Sequence, residues 1–244
     1  MSDLALAVRQ IGYENRAFWR NPAAAFFTFA FPLVFMVIFN VLFGADAARF
    51  YTPAIIVFSV VTATFTNLAI TVSIARDEGI LKRVRGTPLP TWAFLAGRVL
   101  HAVAVAFLLV VIVAAFGALL HGVEVPWPAL PSVLLLLVVG AVTFSALGMA
   151  LAGVVPNADA APAIVNATIL PVLFISNVFV PMENAPAWLD TVSHVFPVRQ
   201  FADAMQALYA GATGVPWLEM GVMAAWGVAG ILVALRFFSW EPRR

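Results

Sequence analysis

The chain has 244 residues, of which 63% are hydrophobic and 10% charged, and its net charge is +1. A soluble domain is about half apolar and a quarter charged, so this composition excludes an ordinary soluble protein and indicates an integral membrane protein. The small net charge excludes a binding mode driven by attraction to nucleic acid, and the absence of cysteine excludes disulfides and thiolate metal sites.

Residues 1–21 are predicted to form an amphipathic helix that lies along the membrane surface. Val8, Ile11 and Phe18 recur at helical spacing, while arginine and glutamate occupy other positions of the helical wheel. Such a helix buries its apolar side at the level of the lipid headgroups. Pro22 follows and is expected to turn the chain into the bilayer.

Six apolar stretches follow, each close to the roughly 20 residues that a helix needs to cross a bilayer. They lack the two-residue alternation of barrel strands, so they predict an all-α membrane protein with six transmembrane helices. Glu219, near the start of the sixth stretch, is the only Asp, Glu, Lys or Arg within them. The predicted spans are residues 23–43, 52–75, 99–120, 129–154, 160–180 and 217–235.

The distribution of positive charge predicts the orientation of these spans. If the N-terminus lies inside, only Arg49 and Arg199 of the 13 lysines and arginines fall in outer loops. Cytoplasmic loops carry an excess of these residues, so both termini are predicted to be cytoplasmic. Of the seven tryptophans, all but Trp226 then fall at a predicted membrane boundary, which is typical of an aromatic belt.

Spans two and five carry hydroxyl and amide side chains that form a candidate translocation path. Several of those in span two share one helical face at spacings of three, four and seven residues. The alternative is that these groups hydrogen-bond between helices or to their own backbone. The candidate path residues are Ser59, Thr62, Thr66, Asn67, Ser73, Asn166, Thr168, Ser176 and Asn177.

The inner loop between spans two and three, residues 76–90, is rich in charge. Its apolar residues Ile80, Leu81 and Val84 would share one face of a short helix, which Gly86 would end. One interpretation is a loop that only sets topology. The other is a helix that docks its small apolar face, ringed by charge, on a cytoplasmic partner. The candidate docking residues are Asp77, Glu78, Gly79, Ile80, Leu81, Lys82 and Arg83.

The outer loop between spans five and six, residues 181–214, is long and apolar but broken by prolines. Irregular backbone at membrane depth is tolerated only where protein covers it. We therefore predict two short helices, over 187–195 and 199–209, packed as a re-entrant cap on the outer face. The candidate cap residues are Pro181, Pro186, Trp188, Pro197 and Asp203.

The sequence lacks the motifs of the common enzyme classes. It has no G-x-S-x-G elbow, no H-E-x-x-H and no His/Asp/Glu cluster at metal-ligand spacing, so neither a catalytic nor a metal site is predicted. It also has no phosphate-binding G-x-x-x-x-G-K-[ST] loop, so any nucleotide that drives the protein must bind to another chain. The small residues of 140–153, including Ser145, are expected to serve helix packing.

Taken together, these features resemble the ABC-2 type transporter permeases, which are membrane subunits of ATP-binding cassette exporters, including drug-resistance exporters. The resemblance covers almost the whole chain, and the outer loop is its most specific part. The chain departs from the family pattern at Ile80, where threonine is common, and at Gln206, where arginine is common. The matching residues are Glu78, Gly79, Leu81 and Pro88 in the inner loop, and Pro181, Pro186, Trp188, Leu189, Pro197 and Asp203 in the outer loop.

The resemblance implies one ABC-2 domain over residues 1–244, in the cytoplasmic membrane of a bacterium, with a coupling helix near 76–85. This helix would bind a separate ATPase subunit, present in two copies, which holds ATP and magnesium. The chain itself would bind no cofactor and no nucleic acid, and would not be an enzyme. A second permease subunit, identical or homologous, would pair with it through spans one and five, with spans two and five lining the path.

The absence of charge along the candidate path indicates a hydrophobic or amphipathic substrate, such as a drug, a lipid or a lipid-linked glycan. Export would proceed by alternating access. The alternative is an ion-coupled carrier or channel that acts without an ATPase, but such proteins usually place an ionisable group at membrane depth.

Overall fold

The computed structural model describes residues 3–44, 47–86, 91–182 and 185–238, and all regular structure within these ranges is helical. The predicted all-α class is therefore confirmed for this part of the chain. Pro88 of the inner loop and Trp240 lie outside the described residues. The α-helices are α1 (Asp3–Trp19), α2 (Pro22–Phe43), α3 (Ala47–Val61), α4 (Asn67–Asp77), α5 (Ile80–Arg85), α6 (Thr91–His121), α7 (Leu130–Val154), α8 (Ala161–Phe174), α9 (Ala187–Ser193), α10 (Pro197–Tyr209) and α11 (Trp217–Phe237).

Four helical stretches of the described chain are long and apolar enough to cross a membrane. They correspond to predicted spans two, three, four and six. Two shorter apolar stretches, Thr28–Phe43 and Ala161–Phe174, lie within predicted spans one and five. The count of six crossings therefore stays a prediction. The four long stretches are Ala47–Asp77, Trp92–His121, Trp127–Val154 and Trp217–Phe237.

The fifth predicted span is helical over only part of its apolar run. Helix α8 has 14 residues and ends at Phe174, which gives it a length of about 21 Å, less than the thickness of a bilayer core. Residues 175–180 form turns and bends instead. Asn177 has a left-handed backbone with φ of 59°, which asparagine tolerates because its short side chain hydrogen-bonds locally. The prediction of one continuous helix over 160–180 is therefore wrong at its outer end.

The helix that contains predicted span two changes its winding midway. Between α3 and α4, residues Thr62–Thr66 form a π-helical segment with helical backbone on both sides. Such segments are rare and occur frequently at functional sites. Helix α7 approaches this segment closely at Gly148, where an added Cβ atom would lie only 2.8 Å from the Phe65 carbonyl oxygen. Only glycine fits at this position without a shift of the backbone.

Helix α7 lies at the centre of the bundle and packs against α3, α4, α10 and, most extensively, α11. Gly227 of α11 lies against Thr143, and the Thr143 hydroxyl donates a hydrogen bond to the Met223 carbonyl at 3.1 Å. Ser145 is 2% exposed within the same helix. The prediction that residues 140–153 serve helix packing is confirmed by these contacts.

Helix α1 packs beside the first part of α6. The Arg98 guanidinium donates to the Glu14 carboxylate at 3.1 Å, and the Phe18 ring lies edge-on to the His101 ring at 5.6 Å. We call the end of the bundle that holds this contact and α5 the inner end, following the predicted orientation. The opposite end, which holds α9 and α10, is the outer end.

Candidate functional site

The charged inner loop folds into a tight turn followed by a short helix; we call residues 77–85 the docking segment. Helix α4 ends at Asp77 and α5 (Ile80–Arg85) begins three residues later. Gly79, between them, has φ of 69°, a left-handed conformation that glycine adopts without steric cost. Its N–H donates to the Arg76 carbonyl at 3.0 Å, which closes the turn. The glycine therefore lets the chain reverse direction immediately below α4.

The apolar side of α5 is buried within this chain, which corrects one prediction. Leu81 is 0% exposed and packs with Ala75 of α4 and Phe94 of α6, and Ile80 and Val84 lie against the same cluster. The sequence pattern assigned this face to a partner. Helix α5 has only six residues, and a helix of that length is unstable without tertiary packing. The apolar face therefore anchors the helix to its own subunit.

Exposed charged side chains form the outward surface of the docking segment. Glu78, Lys82 and Arg83 are all exposed. The Arg83 Nη2 donates to the Glu78 carbonyl at 3.3 Å, which supports the turn without burying either side chain. These three are the predicted docking residues that a partner can reach without unpacking the loop.

Arg76 is a functional candidate that the sequence analysis did not include among the docking residues. It is 1% exposed, and its guanidinium donates to the carbonyls of Ala152 at 2.9 Å and Val155 at 2.7 Å, at the end of α7. Its Nε also donates to the Asp77 carboxylate at 3.2 Å. The other Asp77 oxygen accepts from the Ala158 N–H at 2.5 Å. In the sequence, Arg76 marks only the end of an apolar run, which gives no signal of these distant partners.

A cavity of about 480 Å³ opens at the inner end between α1, α2, α4 and α6. Glu78 and Ile80 of the docking segment line it together with Asn67, one of the predicted path residues. Arg98 and His101 of α6 complete its polar side. Ligand cavities in proteins are commonly of this size and combine apolar walls with a few polar groups. One cavity is thus lined both by a predicted path residue and by residues of the docking segment.

The predicted path residues of span two differ in their surroundings. Ser59 and Ser73 are fully buried, and each hydroxyl donates to a carbonyl four residues earlier in its own helix, at 2.7 and 2.8 Å. Thr62 and Thr66 are half-buried at the two ends of the π-helical segment. Regular α-helical spacing does not apply across this segment, so the four side chains are not on one face as predicted.

The predicted path residues of span five fall into two pairs. Asn166 and Thr168 are exposed on α8. Ser176 and Asn177 lie beyond its end; Ser176 is fully buried, and its hydroxyl has no hydrogen-bond partner in the described part of the chain. The first pair therefore lies on an exposed face of α8, and the second pair lies beyond α8, towards the outer end. Their role in a path stays a prediction.

Helices α9 and α10 and the turn before them, residues 185–209, form what we call the outer cap. Arg199 is 8% exposed and donates to the Asp203 carboxylate at 2.6 Å and to the Asp190 carboxylate at 3.1 Å. The Asn177 amide donates to the second Asp203 oxygen at 2.9 Å. Asp203 therefore ties the chain after α8 to α10, and Arg199 ties α10 to α9.

Further contacts attach the outer cap to the bundle. Pro197 is buried in the first turn of α10, where the N–H that proline lacks has no helical partner. Gln206, at the position where the family pattern has arginine, donates to the Phe50 carbonyl of α3 at 2.9 Å. The amide thus links α10 to α3. The remaining predicted cap residues, all exposed, are Pro181, Pro186 and Trp188.

Two aromatic side chains complete the attachment. The Trp226 indole N–H donates to the Val195 carbonyl at 2.7 Å, and its ring stacks on Phe196 with 6.4 Å between the ring centroids. Trp226 therefore holds the link between α9 and α10. Tyr209 ends α10, and burial raises the pKa of its phenol to about 12. It is therefore neutral at physiological pH.

Comparison with known families bears on the docking segment and the outer cap together. Residues 10–209 match the profile of a family described as ABC-2 type transporter. The chain belongs to the ABC-2 type transporter family. The matched region contains both the docking segment and the outer cap. The resemblance inferred from the inner and outer loops is therefore confirmed.

Several ABC-2 relatives are similar over most of this chain. "Probable multidrug ABC transporter permease YbhR" of Escherichia coli (strain K12) is 24% identical over 165 residues, which are 67% of this chain and 44% of that protein. "Daunorubicin resistance ABC transporter permease protein DrrB1" of Streptomyces coeruleorubidus is 30% identical over 193 residues, 75% of this chain and 67% of that protein. "Putative transport permease ycf38" of Cyanophora paradoxa is 26% identical over 224 residues, 85% of this chain and 71% of that protein. The chain spans less than half of the Escherichia coli relative.

Proposed function

We propose that the chain is the permease subunit of an ATP-driven exporter that moves a hydrophobic or amphipathic substrate out across a bacterial cytoplasmic membrane. The docking segment carries this proposal. It is a short helix fixed to the subunit by buried Leu81, and it presents Glu78, Lys82 and Arg83 on the inner surface. A helix that is rigidly anchored yet charged on its open side is suited to receive force from a cytoplasmic partner.

The partner we propose is a separate ATPase subunit, present in two copies, which holds ATP and magnesium. This chain itself binds no cofactor in this scheme. Binding of ATP would draw the two ATPase subunits together and displace both docking segments. The displacement would change the relative populations of inward-facing and outward-facing states, provided that the ATP-bound partner binds one of them more tightly.

A second permease subunit, identical or homologous, is part of the proposal. Helix α8 leaves Asn166 and Thr168 exposed beside apolar residues such as Leu170 and Phe174. An amide facing lipid tails is unfavourable, because the bilayer core offers it no hydrogen-bond partner. A second subunit that covers α8 and α2 would enclose these polar groups in a path between the two subunits.

The proposed orientation, with both termini cytoplasmic, rests on the distribution of positive charge, and exposed tryptophans at helix ends support the proposed depth of the bundle in the membrane. Trp19 and Trp92 lie at the inner end; at the outer end, Trp127 lies three residues before α7 and Trp217 begins α11. Each is more than half exposed. Tryptophan is enriched at the two membrane–water interfaces, where its ring meets both lipid and water.

The proposed substrate class follows from the chemistry of the candidate path. Its residues offer hydroxyl and amide groups but no charge, which suits a drug, a lipid or a lipid-linked glycan. The names of two relatives refer to multidrug transport and to daunorubicin resistance. Daunorubicin is therefore a reasonable first probe for this chain.

Co-expression of the chain with the products of its neighbouring reading frames, among which we expect the ATPase, tests the proposal. We expect a complex that hydrolyses ATP and loads inverted membrane vesicles with daunorubicin. Reversing charge on the docking segment, with Glu78→Lys, should reduce co-purification of the ATPase about tenfold. The control Glu124→Lys makes the same change at an exposed position at the outer end and should leave co-purification unchanged.

Two results would contradict this function. Unchanged ATPase binding by the Glu78→Lys variant would remove the docking segment from the interface. Transport by the purified chain alone, abolished by an ionophore, would instead support the ion-coupled carrier.

A further inference from the structure

The docking segment and the connection between α7 and α8 are far apart in sequence but are joined at the inner end by Arg76 and Asp77. The Arg76 side chain is 2% exposed. It donates to Ala152, whose carbonyl lies in the last turn of α7, and to Val155, which follows the helix. Carbonyls in the last turn lack intrahelical partners and carry the negative end of the helix dipole, so a guanidinium there is stabilising.

Asp77 extends this contact to the start of α8. One of its oxygens accepts from Arg76, and the other accepts from the N–H of Ala158, three residues before α8 begins at Ala161. Asp77 is also the last residue of α4, two residues before Gly79 and the docking helix. The pair therefore binds backbone atoms on both sides of the α7–α8 turn; Asp77 is the first residue of the docking segment, and Arg76 directly precedes it.

The hydrogen bonds of this contact oppose separation of the docking segment from the α7–α8 connection. The planar guanidinium makes three directed hydrogen bonds; the two to the carbonyls of Ala152 and Val155 are buried, and the one to Asp77 is partly buried. Pulling the two segments apart would leave a buried charge and two buried carbonyls without partners, which is strongly unfavourable. The docking segment and the α7–α8 connection are thus expected to move as one body.

We infer that Arg76 and Asp77 are positioning residues that carry displacement of the docking segment to α8. This inference rests on the proposed function, because it assumes a partner that moves the docking segment. Helix α8 bears Asn166 and Thr168, and the chain beyond it reaches Asp203 in the outer cap through Asn177. The contact is therefore a direct route from the cytoplasmic surface to the candidate path and to the outer end.

The absence of native cysteine makes a distance measurement straightforward. Spin labels at Gly86→Cys, directly after the docking segment, and at Asp159→Cys, both exposed, report the separation of the two segments. In the chain alone, reconstituted in lipid nanodiscs, the parent should give a narrow distance distribution. Asp77→Asn and Arg76→Lys should broaden it, because each loses part of the contact. Arg236→Lys, the same substitution at an exposed position of the inner end, should not broaden it.

The complex with the ATPase then tests transmission. On addition of ATP and magnesium, the distance from Gly86 to a label at Glu124 in the outer loop should change, while the distance from Gly86 to Asp159 should not. In the Asp77→Asn variant, ATP hydrolysis should persist while daunorubicin transported per ATP falls about tenfold. A thermal unfolding scan of each variant identifies any that fails to fold, and Arg76→Lys then serves as the milder change.

The outcomes separate the two ideas. If ATP leaves the Gly86–Glu124 distance unchanged, or if no ATPase binds, the proposed function fails. If the Gly86–Asp159 distance changes with ATP in the parent, or stays narrow in both linkage variants, the positioning role is overturned while the proposed function stands.

Discussion

Replacing Gly148 with alanine tests the close approach of α7 to the π-helical segment. The added Cβ atom would lie 2.8 Å from the Phe65 carbonyl oxygen, 3.1 Å from the Phe65 Cα and 3.1 Å from the Thr64 carbonyl oxygen. All three are backbone atoms, so relief requires the two helices to separate by roughly half an ångström, and overpacking of this kind costs about 1–3 kcal/mol. We expect the free energy of unfolding, measured by circular dichroism in mixed detergent micelles, to fall by that amount.

Gly221→Ala is the matched control for this measurement. Gly221 is also helical, in α11, but it is exposed and an added Cβ would meet no atom within 4 Å. Alanine is a better helix former than glycine, so this variant should be more stable by up to about 1 kcal/mol. The two variants should therefore shift stability in opposite directions. Equal stability of Gly148→Ala and the parent would refute the argument from close packing.

Two further predictions concern buried groups outside the bundle centre. Leu81→Ala should lower the free energy of unfolding by about 2–5 kcal/mol because Leu81 is 0% exposed. The control Lys82→Ala should change the free energy of unfolding by less than about 0.5 kcal/mol. A Leu81→Ala variant that has normal stability but no longer binds the ATPase would show that Leu81 faces the partner. Tyr209 has its pKa raised from 10.0 to about 12, so its contribution to stability is complete below about pH 10 and is lost as the pH rises towards 12. The ultraviolet absorbance of tyrosinate should show this late ionisation, and Tyr209→Phe should reduce its amplitude; ionisation of Tyr209 near pH 10 would contradict its burial.

Helices whose ends are marked by composition or proline could be predicted closely from the sequence. The apolar run at 129–154 matches α7 (Leu130–Val154), and that at 217–235 matches α11 (Trp217–Phe237). In the outer loop, the predicted helices at 187–195 and 199–209 agree with α9 and α10 to within two residues at each end. Pro186, directly before α9, and Pro197, the first residue of α10, provide the signal, since proline begins a helix readily but cannot continue one.

Other features depend on partners that no local pattern reveals. The periodicity of Ile80, Leu81 and Val84 identifies an apolar face but not what covers it, and the structure shows that Phe94 does. The contact of Arg76 with Ala152 joins residues 76 positions apart, which spacing arguments cannot detect. The π-helical segment has no characteristic sequence. A regular helical wheel drawn through span two therefore places Ser59 and Ser73 on one common face, which they do not share in the structure.

The surface that the docking segment offers to the ATPase subunit consists mainly of charged side chains, because its leucine side chain faces inward. Attraction between such groups is screened over about 8 Å at physiological ionic strength. A high salt concentration should therefore dissociate the ATPase subunit from the membrane subunit without unfolding the membrane subunit. Mild detergent in a buffer of low ionic strength should preserve the complex. Purification buffers of low ionic strength are thus the conditions in which the intact assembly is to be sought.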